Sequence, residues 1–253
     1  MRPSQFPARI LSIAGSDSSG GAGIQADIKT VTMLGGFAMT AITAITAQDT
    51  TGVHAVEPLS PATVAAQIDA CAGDIGVDAV KIGMLGSSGI ARVVADRLET
   101  LDVPIVFDPV MVATSGSVLA DADTIAAFER LMARATLTTP NVPELEALGG
   151  DDAMQRRAVA YLAKGGDAGG PVVVDRLVLP GRDPIIWRSP RIETRHAHGT
   201  GCTLSSAIAV HLAQGLDLES AIGKARGFVH AALLAAPGFG KGHGPMGHQA
   251  VKI

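Results

Sequence analysis

The sequence predicts an α/β fold: a central, mostly parallel sheet with helices on both faces and a small antiparallel hairpin appended. Three observations predict it. Short apolar runs alternate with helical periodicities from Arg9 to Glu144, almost without hairpin signals. A Gly-rich stretch, residues 15–23, separates the first apolar run from the first helix. The length, 253 residues with 47% hydrophobic and 17% charged, suits one large α/β domain over residues 1–253.

The elements follow in order. Residues 9–14 form a strand that the Gly-rich loop cuts off, and Ile24, Ile28, Val31 and Leu34 then recur at helical spacing. The loop ends in neither a Walker A nor a dinucleotide fingerprint. It is either a tight packing turn or, through Asp17 and Asp27, a substrate contact. Residues 39–47 form a strand ending at Gln48-Asp49-Thr50. Ligands of open α/β sheets gather at the carboxyl ends of strands, so Gln48 is either a ligand contact or a surface glutamine. Ser60-Pro61 opens a helix whose Val64, Ile68 and Cys71 share a face, which places Cys71 in the core.

Residues 78–82 form a strand, Gly83 to Gly86 its turn, and 90–98 a helix. The buried strand 103–108 ends in Asp108, a carboxylate that is costly there unless paired or solvated in a cleft. The Ser/Thr/Gly segment 112–117 reads as a lid. A helix at 124–133 and a strand at 135–139 lead to Thr139-Pro140-Asn141-Val142-Pro143-Glu144, where Glu144 is either a cap or a ligand group. Residues 154–164 read as helical, and 172–179 with 185–188 as a hairpin.

His198-Gly199-Thr200-Gly201-Cys202-Thr203 opens a buried helix over 204–212. A helix N-terminus leaves four N–H groups unpaired and carries about half a positive charge. It therefore suits phosphate, and its field predicts a lowered thiol pKa for Cys202. The plain alternative is an ordinary helix start with a small buried Cys. A second helix covers 218–234. The Gly-rich tail 238–245, which contains Lys241, is either a flexible terminus or a loop closing over a nucleotide.

Formal net charge is −4, and no basic stripe suggests nucleic acid. No apolar run reaches membrane length. The two cysteines, with no leader pattern, predict a reducing, cytoplasmic setting.

Taken together, six stretches in this order resemble the signatures of bacterial hydroxymethylpyrimidine (phosphomethylpyrimidine) kinases of thiamine biosynthesis: 13–27, 43–50, 81–85, 108–111, 139–144 and 198–203. The resemblance runs from about residue 8 to 245. It implies the ribokinase-like fold, a small-molecule pyrimidine substrate, ATP and Mg²⁺ as cofactors, and a homodimer. It implies that Gln48 holds the aminopyrimidine, with Gly15, Asp27, Thr46, Met84 and Val110 lining the same pocket. Asp108 and Glu144 are implied at the metal, and Asn141, Lys164 and Lys241 on the nucleotide side. Gly199, Thr200, Gly201 and Cys202 are implied as the catalytic anion hole, Cys202 taking the hydroxyl proton. Cys202 stands where other ribokinase-like kinases carry Asp, which favours pyrimidine kinases over pyridoxal kinases.

The chain departs from the pattern in places. Thr46 and Thr114 replace an expected Val and Lys, and His196-Ala197 an expected Asn-Thr. Residues 158–172 fall roughly ten short of a helix plus a strand ending in Lys-Gly-Gly. The rival readings are a pyridoxal kinase of the same superfamily and a non-catalytic pyrimidine-binding domain.

Overall fold

The structure, a computed structural model, describes residues 6–111 and 119–251. The expected lid and Thr114 lie outside the described residues. Strands β1 (Arg9–Asp17), β2 (Phe37–Asp49), β3 (Gly52–Pro58), β4 (Ala79–Ile82), β5 (Ile105–Phe107), β6 (Leu137–Thr138), β7 (Tyr161–Ala163), β8 (Val172–Val178) and β9 (Ile185–Pro190) form one sheet. Its order is β3-β2-β1-β4-β5-β6-β7-β8-β9. The ladder is parallel from β2 through β7, and antiparallel where β3 joins β2 and where β8 and β9 follow β7. Parallel neighbours need long crossovers, and these place helices on both faces.

One face carries α2 (Pro61–Ala70), α3 (Ser88–Leu98) and α4 (Ala122–Arg134) with the short α5 (Val142–Ala147) and α6 (Gly150–Arg156). Ile68, Val94, Leu131 and Met154 pack there on Leu11, Ile82 and Phe107. The other face carries α1 (Gly23–Met33), α7 (Thr200–Ala213) and α8 (Leu218–Leu234). There Ala207, Ile208 and Ile222 cover Ile10, Val106 and Leu162. Caps explain several boundaries. The Ser60 hydroxyl accepts from the Thr63 N–H with Pro61 following it, and the Asp217 carboxylate accepts from Ser220.

Four expectations change. First, β3 was not anticipated. Asp49 Oδ1 accepts from the Thr51 N–H and hydroxyl and from the Gly52 N–H, an Asx turn that folds β3 back on β2. Second, the inner face of α1 is polar at its centre: Asp27 is wholly buried while Ile28 is 38% exposed. Third, the helix expected at 154–164 ends at Arg156. Ala158, at φ 54, turns the chain in the left-handed region, and Tyr161–Ala163 pairs as β7. The strand that leads into Lys164-Gly165-Gly166 is therefore present, and the helix before it is what is shortened. Fourth, the tail is not loose. The N–H groups of Lys241 and Gly242 donate to the Thr50 hydroxyl and that of His243 to the Thr50 carbonyl, so the tail packs on the β2–β3 turn.

Ala158 bears a side chain in a backbone region that disfavours one by about 1–2 kcal/mol. Ala158→Gly is expected to raise the thermal midpoint by about 2–4 °C per kcal/mol recovered, measured by calorimetry.

Candidate active site

The parallel strands all deliver their carboxyl ends to one edge of the sheet. Asp17 ends β1 and Gln48 lies at the end of β2. Met84 follows β4, Asp108 follows β5, Asn141 follows β6 and Lys164 follows β7. These residues line one cleft of about 930 Å³, together with the start of α7. Register shifts at Ala14/Ser16, opposite Ile42 and Ile45, and at Ala47/Gln48, opposite Ala55 and Val53, put an extra residue in β2 and in β3 and bend the ladder beside Gly15 and Gln48.

The start of α7 is shaped by Gly199. Its φ is 86, and a Cβ there would stand 1.9 Å from the Gly21 carbonyl oxygen, so only glycine fits. No side chain caps the helix. The amides of Gly201 and Cys202 accordingly point their partial charge at the cleft. The opposite wall is close: a Cβ on Gly201 would meet Asp108 Oδ2 and Lys164 Nζ at 3.3 Å each.

Beneath the cradle lies a fully buried ion pair. Lys81 Nζ donates to Asp27 Oδ2 at 2.8 Å and to Oδ1 at 3.0 Å, and both side chains are 0% exposed. The hydroxyls of Ser12 and Ser206 donate to the same carboxylate. Burial lowers the Lys81 pKa, but Asp27, with Cys202 and Asp108, outweighs it and leaves the amine above its ordinary value. Burial acts on Cys202 in the opposite sense. It pushes the thiol up to about 11, Lys81 opposing and Asp27 and Asp108 reinforcing. The expected acidification of Cys202 is therefore wrong: desolvation beside two carboxylates exceeds the pull of the helix end, and the group is a neutral thiol at neutral pH.

On the other wall, Asp108 Oδ1 accepts from Lys164 Nζ at 2.6 Å and from the Thr139 hydroxyl at 2.9 Å. Lys164 Nζ is 3.9 Å from Glu144 Oε2. Asn141 and Glu144 form a capping box at the start of α5: the Glu144 N–H donates to Asn141 Oδ1, and the Asn141 N–H to Glu144 Oε2. The reading of Glu144 as a cap holds, and the capping carboxylate also lines the cleft. Burial pushes its pKa up to about 7, with Asp108 and Asp167 adding and Lys164 and the Asn141 N–H opposing. Burial lowers the Lys164 pKa, and Asp108 and Glu144 reverse that and hold it above normal.

At the far end, His198 Nε2 lies 2.9 Å from Asp17 Oδ2 and 3.0 Å from the side-chain amide of Gln48. Ser18 clamps the Gln48 backbone, its hydroxyl accepting from the N–H and donating to the carbonyl. Asp17 also accepts from the Ser19, Gly21 and Ala22 N–H groups and the Ser19 hydroxyl. Burial works against its charge, but His198, Ser19 and Ala22 bring the carboxyl down to about 2.

The cleft therefore gathers most of the expected residues: Gly15, Thr46, Gln48, Met84 and Val110 at one end, and Asp108, Asn141, Glu144 and Lys164 beside the Gly199–Cys202 cradle. Two are not on its wall. Asp27 is sealed beneath it by Lys81, Ser12 and Ser206. Lys241 is exposed, and its backbone is tied to Thr50. The reading missed Asp17 as organiser of the loop, His198 against Gln48, and Lys81 as the counter-charge of Asp27. Lys81 and His198 lie inside recognised stretches, but their partners are distant in sequence.

A parallel sheet whose carboxyl edge joins an uncapped helix N-terminus to buried carboxylates and a lysine is the frame of a ribokinase-like phosphotransferase. Residues 17–247 match the family model described as phosphomethylpyrimidine kinase. The hydroxymethylpyrimidine/phosphomethylpyrimidine kinase of Rhizobium meliloti is 46% identical over 255 residues, 94% of this chain and 96% of the relative. Among solved structures, the ADP complex of Bacillus subtilis pyridoxal kinase superposes with TM-score 0.85 at 34% identity, over 96% of this chain and 98% of that one. Phosphomethylpyrimidine kinase from Clostridium difficile superposes with TM-score 0.74 at 37% identity, over 88% and 98%. The chain belongs to the phosphomethylpyrimidine kinase family.

The raised Glu144 pKa has a signed consequence. Between the ordinary carboxyl value of 4.5 and about 7, the folded protein holds a proton that the unfolded chain has lost. Stability from this group therefore falls as pH rises through that window, by about 1.4 kcal/mol per unit of displacement. Glu144→Gln keeps the cap and removes the charge. Relative to wild type it is expected to gain stability at pH 8 over pH 4.5, read from urea midpoints.

Proposed function

We propose that this kinase transfers the γ-phosphoryl group of ATP to 4-amino-5-hydroxymethyl-2-methylpyrimidine, and then to its monophosphate, in thiamine biosynthesis. The observation that carries this reading is the uncapped start of α7, which opens on the same cleft as Gln48 with Asp108 and Lys164 3.3 Å from where a Gly201 side chain would begin. The family match and the names of the relatives support the substrate.

In this reading Gln48 holds the ring through an amide that both donates and accepts. Gly15, Thr46, Met84 and Val110 shape the pocket around it. The amides of Gly201 and Cys202, with Gly199 and Thr200, receive the charge that builds on the equatorial phosphoryl oxygens. Phosphoryl transfer depends mainly on such positioning and electrostatics. Lys164 and Asn141 serve the nucleotide side. Asp108 and Glu144 suit Mg²⁺: burial of two carboxylates on one wall has already pushed Glu144 up to about 7, a strain that a cation relieves. Magnesium typically takes one or two carboxylates plus phosphate oxygens, and would supply charge neutralisation there. The thiolate form of Cys202, a small fraction below about pH 11, accepts the hydroxyl proton, and a loose transition state in which that proton leaves late lessens the need for a base at an earlier stage.

A homodimer through the β2–β3 ribbon is part of the proposal, since β3 is an exposed edge and Ile45 and Val56 remain 45% and 40% exposed. Both cysteines are free, which suits a reducing cytoplasm. No helix among the described residues is long and apolar enough to cross a membrane. Pyridoxal phosphorylation is the second reading, favoured by the overlay on the pyridoxal kinase. Turnover on the two alcohols separates them, and the pyrimidine is expected to dominate.

Cys202→Ala is expected to lower kcat by about 10²-fold with the pyrimidine KM nearly unchanged. The wild-type rate should climb with alkaline pH toward about 11, and the variant should lose that limb. An unchanged kcat removes the thiol from the chemistry. Gln48→Ala is expected to raise the pyrimidine KM roughly 10- to 100-fold, while the KM for ATP holds.

A further inference from the structure

A carboxamide has two faces, one donating and one accepting, and its neighbours decide which faces the ligand. Gln48 has two polar neighbours at its tip. Gln48 Nε2 is placed 3.0 Å from His198 Nε2 and Oε1 3.5 Å from Thr46 Oγ1; turning the carboxamide over exchanges these two atoms and leaves every other atom in place. The Thr46 hydroxyl already gives its proton to the Ser16 carbonyl at 2.9 Å, so toward Gln48 its oxygen can only accept. The amide nitrogen satisfies it, whereas the amide oxygen would set lone pair against lone pair.

His198 gives the complementary demand. Its Nε2 faces Asp17 Oδ2 at 2.9 Å. That carboxylate is ionised and acceptor-only, held by the Ser19, Gly21 and Ala22 N–H groups. A bare Nε2 would meet it lone pair to lone pair in a nearly dry setting, His198 being 5% and Asp17 3% exposed. The proton therefore sits on Nε2, in either the neutral or the cationic ring. That single Nε2–H is shared between Asp17 Oδ2 at 2.9 Å and Gln48 at 3.0 Å, and since a protonated nitrogen has no lone pair to offer a second donor, the amide atom facing it must be the oxygen.

We propose that His198 and Thr46 are specificity-determining positioning residues: they lock the Gln48 carboxamide with its oxygen on His198 Nε2–H and its nitrogen on Thr46 Oγ1. Gln48 then offers the cleft its remaining N–H, a donor matched to the ring nitrogen of a heteroaromatic alcohol. This rests on the reading that Gln48 meets the pyrimidine. Thr46 adds a second anchor for the amide.

The test has two arms. In ¹⁵N-labelled wild-type protein without substrate, two-bond nitrogen–proton spectra report the protonation of each imidazole nitrogen, with His198 assigned by its loss in His198→Gln. A protonated Nε2 is expected, and an unprotonated Nε2 overturns the proposal. In steady-state kinetics with the hydroxymethylpyrimidine and ATP, His198→Met is expected to raise the pyrimidine KM by about tenfold. The ATP KM and kcat should stay close to wild type. His198→Gln, whose amide can return an N–H to the Nε2 position, is expected to recover most of the loss. If Gln48→Ala raises the KM but His198→Met does not, the positioning role falls and the pocket stands. If Gln48→Ala leaves KM unchanged, the pocket falls and the proposal with it.

Discussion

Lys81 and Asp27 face each other at 2.8 Å with no access to water, and neither charge is tolerable there without the other. The pair sets the geometry above it. Asp27 is on α1, Lys81 on β4, Ser12 on β1 and Ser206 on α7. One carboxylate thus fixes two helices against two central strands. Ser206 is four residues after Cys202, so both lie on the same face of α7. Locking Ser206 onto Asp27 sets the rotation of the helix, and with it the direction in which Gly201 and Cys202 present their amides. Removal of either partner would leave a buried charge uncompensated, at a cost of several kcal/mol.

The same burial decides the chemistry of the thiol. A helix end alone acidifies a cysteine. Here Cys202 is desolvated above Asp27 and near Asp108, and the balance turns to a neutral S–H. The cradle is electropositive through its amides, and the neutral thiol adds no opposing negative charge. Negative charge is collected across the cleft instead, on Asp108 and Glu144, with Lys164 between them. Positive and negative walls face each other over the space where a polyphosphate would lie.

The two ends of the cleft are joined by one short piece of chain. His198 immediately precedes Gly199 and touches Asp17 and Gln48, so the segment that opens the cradle also reaches the far end of the cleft. Asp17 gathers the Gly-rich loop around its carboxylate, and Ser18 of that loop grips the Gln48 backbone. The loop is thus a packing turn that also lines the cleft.

Much of this was legible in the sequence because it depends on local physics. Alternating periodicities marked the parallel sheet, and Ser60-Pro61 and Gly199–Cys202 marked helix starts, since each signal lies within a few residues. The β2–β3 hairpin escaped because its turn is an Asx turn around Asp49 rather than an Asn-Gly pair. The strand Tyr161–Ala163 escaped because three residues carry no period. What only the tertiary structure decided involves partners far apart in sequence. Asp27 became a buried counter-ion because Lys81 and Ser206 arrive from other elements. The backbone of Lys241 is held by Thr50, 191 residues earlier, and Cys202 kept its proton because burial desolvates it beside two distant carboxylates. Periodicity and capping are properties of a segment, whereas desolvation and charge pairing exist only once segments meet.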